Sequence, residues 1–83
     1  MICLLVYVRH GVFQQTISAY HVEDGNNLSL DAEYKCTMEE LEDKILELSK
    51  TYKTHYISIL NDKELEQDLK EKYSFRTLEE MSK

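Results

Sequence analysis

The fold is decided by the first apolar stretch, residues 2–10, which reads Ile-Cys-Leu-Leu-Val-Tyr-Val-Arg-His. Odd and even positions of this stretch are both apolar, as in a central strand whose two faces are covered. We therefore predict a first strand in the middle of a sheet. The stretch is far shorter than the roughly 20 residues that a membrane-spanning helix needs. We accordingly expect no membrane span and a cytoplasmic location.

Two hairpins are predicted to follow this strand. His10 and Gly11 suit a two-residue turn, because glycine adopts a positive φ at little cost, and residues 12–22 then continue as a second strand. Residues 23–27, Glu-Asp-Gly-Asn-Asn, are the strongest turn signal of the chain. From residue 28 to residue 36 apolar and polar side chains alternate strictly. This pattern predicts a third strand at the sheet edge, with one dry face and one charged face.

A helix is predicted next. Thr37 and Glu40 have the spacing of a capping box, in which each side chain accepts a hydrogen bond from the backbone of the other. An apolar stripe at intervals of three and four then continues to about residue 53. It consists of Met38, Leu41, Ile45, Leu48 and Tyr52.

The last part of the chain is predicted to hold one strand and a second helix. Residues 55–60 are mostly apolar and read as a strand. Asn61, three residues before Glu64, is predicted to cap a helix whose apolar face includes Leu69. Residues 74–83 fit either a short helix or a short strand.

The predicted order is thus β-β-β-α-β-α in a single domain, residues 1–83. A right-handed crossover through the first helix places the fourth strand parallel to the first. The prediction is an α/β (α+β) fold with a mixed four-stranded sheet in the order 3-2-1-4. The order is similar to the first half of ribonuclease H-like folds, and a ferredoxin-like or other two-layer α+β fold is the alternative. That resemblance implies an acidic metal ligand in the first strand, but residues 3–8 contain none, so we expect no metal site, no cofactor and no nuclease activity.

The charge of the chain indicates which partners it favours. Sixteen acidic and ten basic residues give a net charge of −6, which repels phosphate backbones and anionic lipid. We therefore expect no direct binding to nucleic acid or membranes, and a protein partner with a basic surface. Residues favoured by AT-rich codons far outnumber Gly, Ala, Pro and Arg, which hints at a low-GC bacterium or its phage.

The first helix supplies the candidate binding residues. Glu39, Asp43 and Glu47 are spaced four apart and lie opposite the apolar stripe, where they face solvent or a partner. Like charges at this spacing destabilise a helix slightly. An ordinary solvated face is one interpretation of this row. The other is a row that meets a basic surface, such as the nucleic-acid groove of another protein.

One tripeptide supplies a catalytic alternative. Arg9-His10-Gly11 after an apolar strand resembles the signature of the histidine phosphatase family, which implies a phosphorylated His10 and a phosphate-binding Arg9. The rest of that family's pocket is missing, since Arg76 is the only further arginine. Cys3 and Cys36 lie in apolar strands and are expected to be buried, inert thiols.

These features together predict a non-catalytic protein-interaction module, such as a small acidic phage or mobile-element inhibitor of host nucleic-acid machinery, for example of a defence nuclease. The alternatives are a small hydrolase or phosphatase using His10, and a structural subunit of a homo-oligomer. With the first helix on one face of the sheet, the second helix is expected to cover only part of the other face, so much of that face stays apolar and uncovered. We therefore also expect a homodimer or a tight partner complex through that open sheet face or its edge.

Overall fold

The computed structural model describes residues 1–23 and 27–81, and this part of the chain forms four strands and three helices. In chain order they are β1 (Ile2–Tyr7), β2 (Gln14–Glu23), β3 (Asn27–Thr37), α1 (Leu41–Thr51), β4 (Ile57–Leu60), α2 (Lys63–Tyr73) and α3 (Leu78–Met81). Most of the predicted second turn, residues 24–26, lies outside the described residues, as do residues 82–83 of the ambiguous last stretch.

The strands form one mixed sheet in the order β3-β2-β1-β4. β2 is antiparallel to both of its neighbours, and β4 is parallel to β1. The predicted α+β architecture, the sheet order and the central position of β1 are all confirmed. Unrelated folds share such an order, so it does not by itself establish the ribonuclease H-like resemblance.

The core lies between the sheet and the helices α1 and α2. Leu4 and Val6 of β1 face it, as does Val8 just after the strand, and all three are almost fully buried. The helices contribute an apolar stripe at intervals of three and four, which consists of Leu41, Ile45, Leu48 and Leu69. Burying one such side chain stabilises the fold by about 1.5–3 kcal/mol. This cluster is therefore the main source of stability.

Side-chain hydrogen bonds precede α1 and cap α2. The Glu40 N–H donates to Thr37 Oγ1 at 3.3 Å and the Thr37 N–H donates to Glu40 Oε1 at 3.2 Å, so the predicted reciprocal bonds form. They close the turn before α1, and the helix itself begins at Leu41 rather than directly after Thr37. At α2, however, the Leu65 N–H donates to Asp62 Oδ1 at 3.0 Å. The prediction that Asn61 is this cap was wrong by one residue. Asn61 instead has a φ of 69°, a left-handed conformation that asparagine tolerates well in tight links.

The connection between β1 and β2 is a six-residue loop, residues 8–13, and the predicted two-residue turn at His10 and Gly11 was wrong. The side-chain amide of Gln15 holds this loop open. It accepts from the Arg9 N–H at 2.7 Å and donates to the carbonyls of Arg9 at 2.9 Å and Val12 at 3.1 Å. Gln15 is 1% exposed, and a buried amide must find hydrogen-bond partners. The loop supplies them, with Gly11 at a φ of 83° in its middle.

A bulge in β3 changes which of its side chains face the helices. After Ala19 the pairing shifts by one residue, so that Tyr20 lies opposite Leu30 and Asp31 is the extra residue. An extra residue reverses the alternation of faces along a strand. Leu28 and Leu30 therefore lie on the face away from the helices. The predicted single dry face of the third strand was wrong for this first part.

The chain after α2 returns to the outer edge of β4. Phe75 is buried in the core, and Arg76 forms an isolated bridge with Tyr56 before α3 begins. The two alternatives for residues 74–83 are thus both realised, one after the other. The Ile57 N–H donates to the Arg76 carbonyl at 2.7 Å, so the returning chain covers part of the β4 edge.

Candidate functional site

The acidic row lies on the solvent side of α1. Asp43 and Glu47 are one helical turn apart and exposed, and Glu39 is exposed in the turn that leads into the helix. Lys44 Nζ lies 3.3 Å from Glu47 Oε1 and 5.6 Å from the centre of the Tyr34 ring. Lys50, which follows Glu47 by three residues and Asp43 by seven, is exposed on the same side. Three carboxylates and two ammonium groups therefore share this side of the helix, which leaves it with one net negative charge.

The other acidic side chains of this helix have structural roles. Glu42 accepts a hydrogen bond from the Tyr73 hydroxyl at 2.6 Å and lies 3.6 Å from Lys72, both on α2. Glu40 belongs to the capping box. Within residues 1–23 and 27–81, no ion pair engages Glu39 or Asp43, so these two carboxylates are available to a partner.

An apolar cleft begins where the acidic row begins. Phe13 is 78% exposed, and Val12 and Met38 are also largely exposed. Together with Thr37 and Glu39 they line a cleft of about 300 Å³. Met38 was predicted to belong to the buried stripe of the helix, but α1 begins only at Leu41, so its side chain stays at the surface. We call these five residues and the acidic row together the binding surface.

Sequence reasoning missed Phe13 because residues 12–22 were taken as one strand. A signal was nevertheless present. Gln15 lies two residues before the core residue Ile17, so both side chains point to the same face of a strand. An amide that faces the core indicates that the regular strand ends there and that the side chain binds the backbone of a loop.

The face of the sheet opposite α1 and α2 is largely uncovered. We call it the open face, and its exposed or half-buried apolar members are Leu5, Tyr7, Tyr20, Val22, Leu28, Leu30 and Leu60. Within residues 1–23 and 27–81, its β4 margin is covered, where the Leu78 N–H donates to Ser58 Oγ at 2.7 Å, and Cys3 of β1 is buried on the same face. The helix α2 packs with α1 on the core side, so the prediction that the second helix covers part of this face was wrong. A cleft of about 160 Å³ lies at the β4 margin, between β4, α2 and α3.

The first two residues of the Arg9-His10-Gly11 tripeptide have different neighbours. His10 Nε2 lies 3.6 Å from Asp62 Oδ2, and a carboxylate at this position repels a phosphate anion. The Arg9 guanidinium lies 5.8 Å from the centre of the Tyr7 ring on the open face.

The thiols are buried as expected. Cys3 is 0% exposed and Cys36 is 7% exposed, and both are free. Burial raises the pKa of the Cys3 thiol to about 11. The pKa of Cys36 is raised by burial and by the nearby Glu40 carboxylate. A thiol with a raised pKa is a poor nucleophile.

Two further kinds of feature, a metal site and a membrane-spanning helix, are absent from the described part of the chain. Residues 1–23 and 27–81 contain no group of three His, Cys, Asp or Glu side chains placed to hold a metal ion. No helix of the same residues is long and apolar enough to cross a membrane. Comparison with family models, curated proteins and solved structures found no match to this chain.

Proposed function

We propose that this chain is a non-catalytic protein-interaction module that binds a basic protein surface through the binding surface. One observation carries the proposal: a strongly exposed Phe13 stands beside the first carboxylate of the acidic row, Glu39, in a shared cleft. An aromatic anchor next to charged residues is the usual composition of a strong protein contact.

The apolar part of the surface supplies affinity. Burying a phenylalanine side chain stabilises a contact by roughly 1.5–3 kcal/mol. Phe13 is already held in place, because Gln15 fixes the backbone on either side of the loop with three hydrogen bonds. A preorganised loop loses little conformational freedom on binding, so more of this energy remains as affinity.

The acidic part of the surface determines which partner binds and how fast the two proteins associate. Opposite charges steer two proteins together, and the rate gain falls as salt rises. The partner therefore has Lys or Arg side chains beside an apolar side chain that enters the cleft. Proteins that bind nucleic acid carry such basic surfaces. We accordingly place the chain among small acidic inhibitors of nucleic-acid machinery in the cytoplasm of a bacterium, of phage or mobile-element origin.

A hydrolase that uses His10 is the competing function. Its support is the Arg9-His10-Gly11 tripeptide, and the Asp62 carboxylate beside His10 opposes it. Release of phosphate from an aryl phosphate by the parent protein, abolished in His10→Ala, would overturn the interaction proposal.

The proposal is tested with two matched triple variants. The first, Glu39→Gln with Asp43→Asn and Glu47→Gln, removes the acidic row. The second, Glu64→Gln with Asp68→Asn and Glu71→Gln, removes the same charge from exposed positions on α2. Both proteins and the parent are immobilised, and captured proteins from a bacterial lysate are quantified at low and high salt.

We expect the parent and the α2 variant to capture the same basic, nucleic-acid-binding proteins and to release them as salt rises. The row variant should lose them. Phe13→Ser should retain the salt dependence but dissociate faster, because it removes the anchor and no charge. Equal capture by the two triple variants would show that only overall charge matters and would refute the proposal.

A further inference from the structure

The open face differs in charge from the rest of the molecule. Among the described strand residues on this face, Glu33 and Lys35 are the charged side chains, and the Arg9 guanidinium lies over Tyr7 at one end of it. These groups leave the face with one net positive charge, whereas the helix side carries the acidic row. A basic partner is therefore not attracted to the open face. A second copy of the chain, although each copy has a net charge of −6, offers the Glu33 carboxylate of the same face to these two cations, and distant charges are screened beyond about 10 Å.

The apolar content of the open face exceeds that of an ordinary exposed sheet. Leu30 is 51% exposed, Tyr7 46%, Leu60 43% and Leu28 38%. The bulge in β3 places both of its leucines here, beside Tyr20 and Val22 of β2. Contiguous apolar surface of this kind on a small protein marks an interface. Tyr7 and Tyr20 are also of a residue type that is enriched where two proteins meet.

The size of the face suits a dimer of modest stability. Neighbouring strands lie about 4.8 Å apart, and residues on the same face of one strand lie about 6.6 Å apart. Four strands with three to four such rows of residues therefore cover a flat area of roughly 400–500 Å². Side chains enlarge the accessible area beyond this value. A typical stable interface buries about 800 Å² on each partner. The flat area is about half to two thirds of this value, so the open face suits a dimer that is weaker than a typical stable one.

The edges of the sheet are poor alternatives to its face. On β4, the N–H groups that point away from the sheet already donate hydrogen bonds within the chain. The Ile57 N–H donates to the Arg76 carbonyl at 2.7 Å, and the Ile59 N–H donates to the Glu66 carboxylate at 2.9 Å. On β3, the bulge at Asp31 interrupts the edge, and bulges and charges discourage strand pairing. Association through a continued sheet is therefore disfavoured at both edges.

From these four observations we propose that two copies of the chain pack open face against open face about a two-fold axis. This inference uses a different surface from the proposed function and does not depend on it. Each interface residue then occurs twice, so one substitution perturbs two positions of the dimer.

The test is sedimentation equilibrium of the parent and two matched variants from low to high micromolar concentration. Leu30→Glu adds a charge in the middle of the β3 side of the open face, and Met38→Glu adds the same charge at a comparably exposed apolar position on the other side. Circular dichroism confirms that each variant is folded, and Leu30→Ser serves if Leu30→Glu is not.

We expect the mass of the parent to rise from 9.9 kDa to twice that value, and Met38→Glu to behave in the same way. Leu30→Glu should raise the dimer dissociation constant by about tenfold or more, as expected for a buried interface position. A parent that stays monomeric at the highest concentration would overturn the inference. Equal dimerisation of both variants would also overturn it, because the interface would then lie elsewhere.

Discussion

Replacing Gln15 by leucine tests whether one buried amide organises the loop that presents Phe13. Leucine has a similar volume, so the substitution removes the three hydrogen bonds without opening a large cavity. The neighbouring Gln14 is exposed, and Gln14→Leu is therefore a control with the same chemistry.

The expected magnitude follows from the hydrogen bonds. Each contributes about 0.5–1.5 kcal/mol net, so three contribute about 1.5–4.5 kcal/mol. Water can reach the Arg9 and Val12 residues, since both are exposed, which limits the loss to the lower part of this range, about 1.5–3 kcal/mol. A chain of this length is stable by about 4–12 kcal/mol. The variant should thus lose a large share of its stability but still fold.

Urea unfolding followed by circular dichroism measures the change. With an m-value of about 1–1.5 kcal/mol/M for a small protein, the midpoint of Gln15→Leu should fall by about 2 M. Gln14→Leu should stay within about 0.5 kcal/mol of the parent. If the two variants unfold at the same urea concentration, the loop does not depend on the Gln15 amide, and the account of how Phe13 is held would be refuted.

Two further predictions concern protonation. Because burial raises the pKa of Cys3 to about 11, its alkylation at mildly alkaline pH should be slow in the folded protein and fast in urea, as measured by mass spectrometry; fast labelling of the folded protein would contradict this. Hydrogen bonds from the Thr37 side chain and backbone lower the pKa of Glu40 below its ordinary value of 4.5. The ionised Glu40 therefore stabilises the fold above pH 4.5, and this stabilisation is lost as the pH falls through the lowered pKa of Glu40. Thr37→Val should therefore flatten the acid side of the stability profile, and an unchanged acid slope would contradict this prediction.

The sheet order was predictable because it depends on patterns that lie within single segments. Residues 2–8 are apolar at both odd and even positions. Both faces of β1 must therefore be covered, which is typical of a central strand. The capping box at Thr37 and Glu40 is a local exchange of hydrogen bonds, and it formed as expected. The helix that follows carries the chain back across the sheet, so β4 runs parallel to β1. These steps need no knowledge of distant contacts.

The errors arose where a tertiary contact selects between two local options. His10 and Gly11 are compatible with a tight turn, but Gln15 gains three hydrogen bonds only if the loop is longer. The alternation from residue 28 to residue 36 is compatible with a flat strand, but the pairing with β2 inserts Asp31 as a bulge. Asp31 Oδ1 lies 3.5 Å from His21 Nε2 and its other oxygen 3.5 Å from the Tyr52 hydroxyl. Neither neighbour is adjacent to Asp31 in the sequence.

The candidate site shows the same division. The acidic row was visible in the sequence because helical periodicity alone places Asp43 and Glu47 on one side. The cleft was not visible, since it combines Phe13 from one loop with Met38 from the turn before α1. The two parts come together only when the register of β2 against β3 places Gln14 opposite Thr37.

The acidic row of α1 and the open face lie on opposite sides of the sheet, and the cleft lies at the end of the sheet where Gln14 pairs with Thr37. This arrangement has a consequence for stoichiometry. A dimer formed through the open faces would direct both copies of α1, with Asp43 and Glu47, outward and away from the interface. Neither binding surface would then be covered, so each dimer should bind two partner molecules with equal affinity. Two linked sites also raise the apparent affinity for an immobilised partner, even though no new contact forms. Leu30→Glu should therefore bind a soluble partner as tightly as the parent does, yet dissociate faster from a partner-coated surface. A dimer that accepts only one partner molecule would show that the two surfaces overlap.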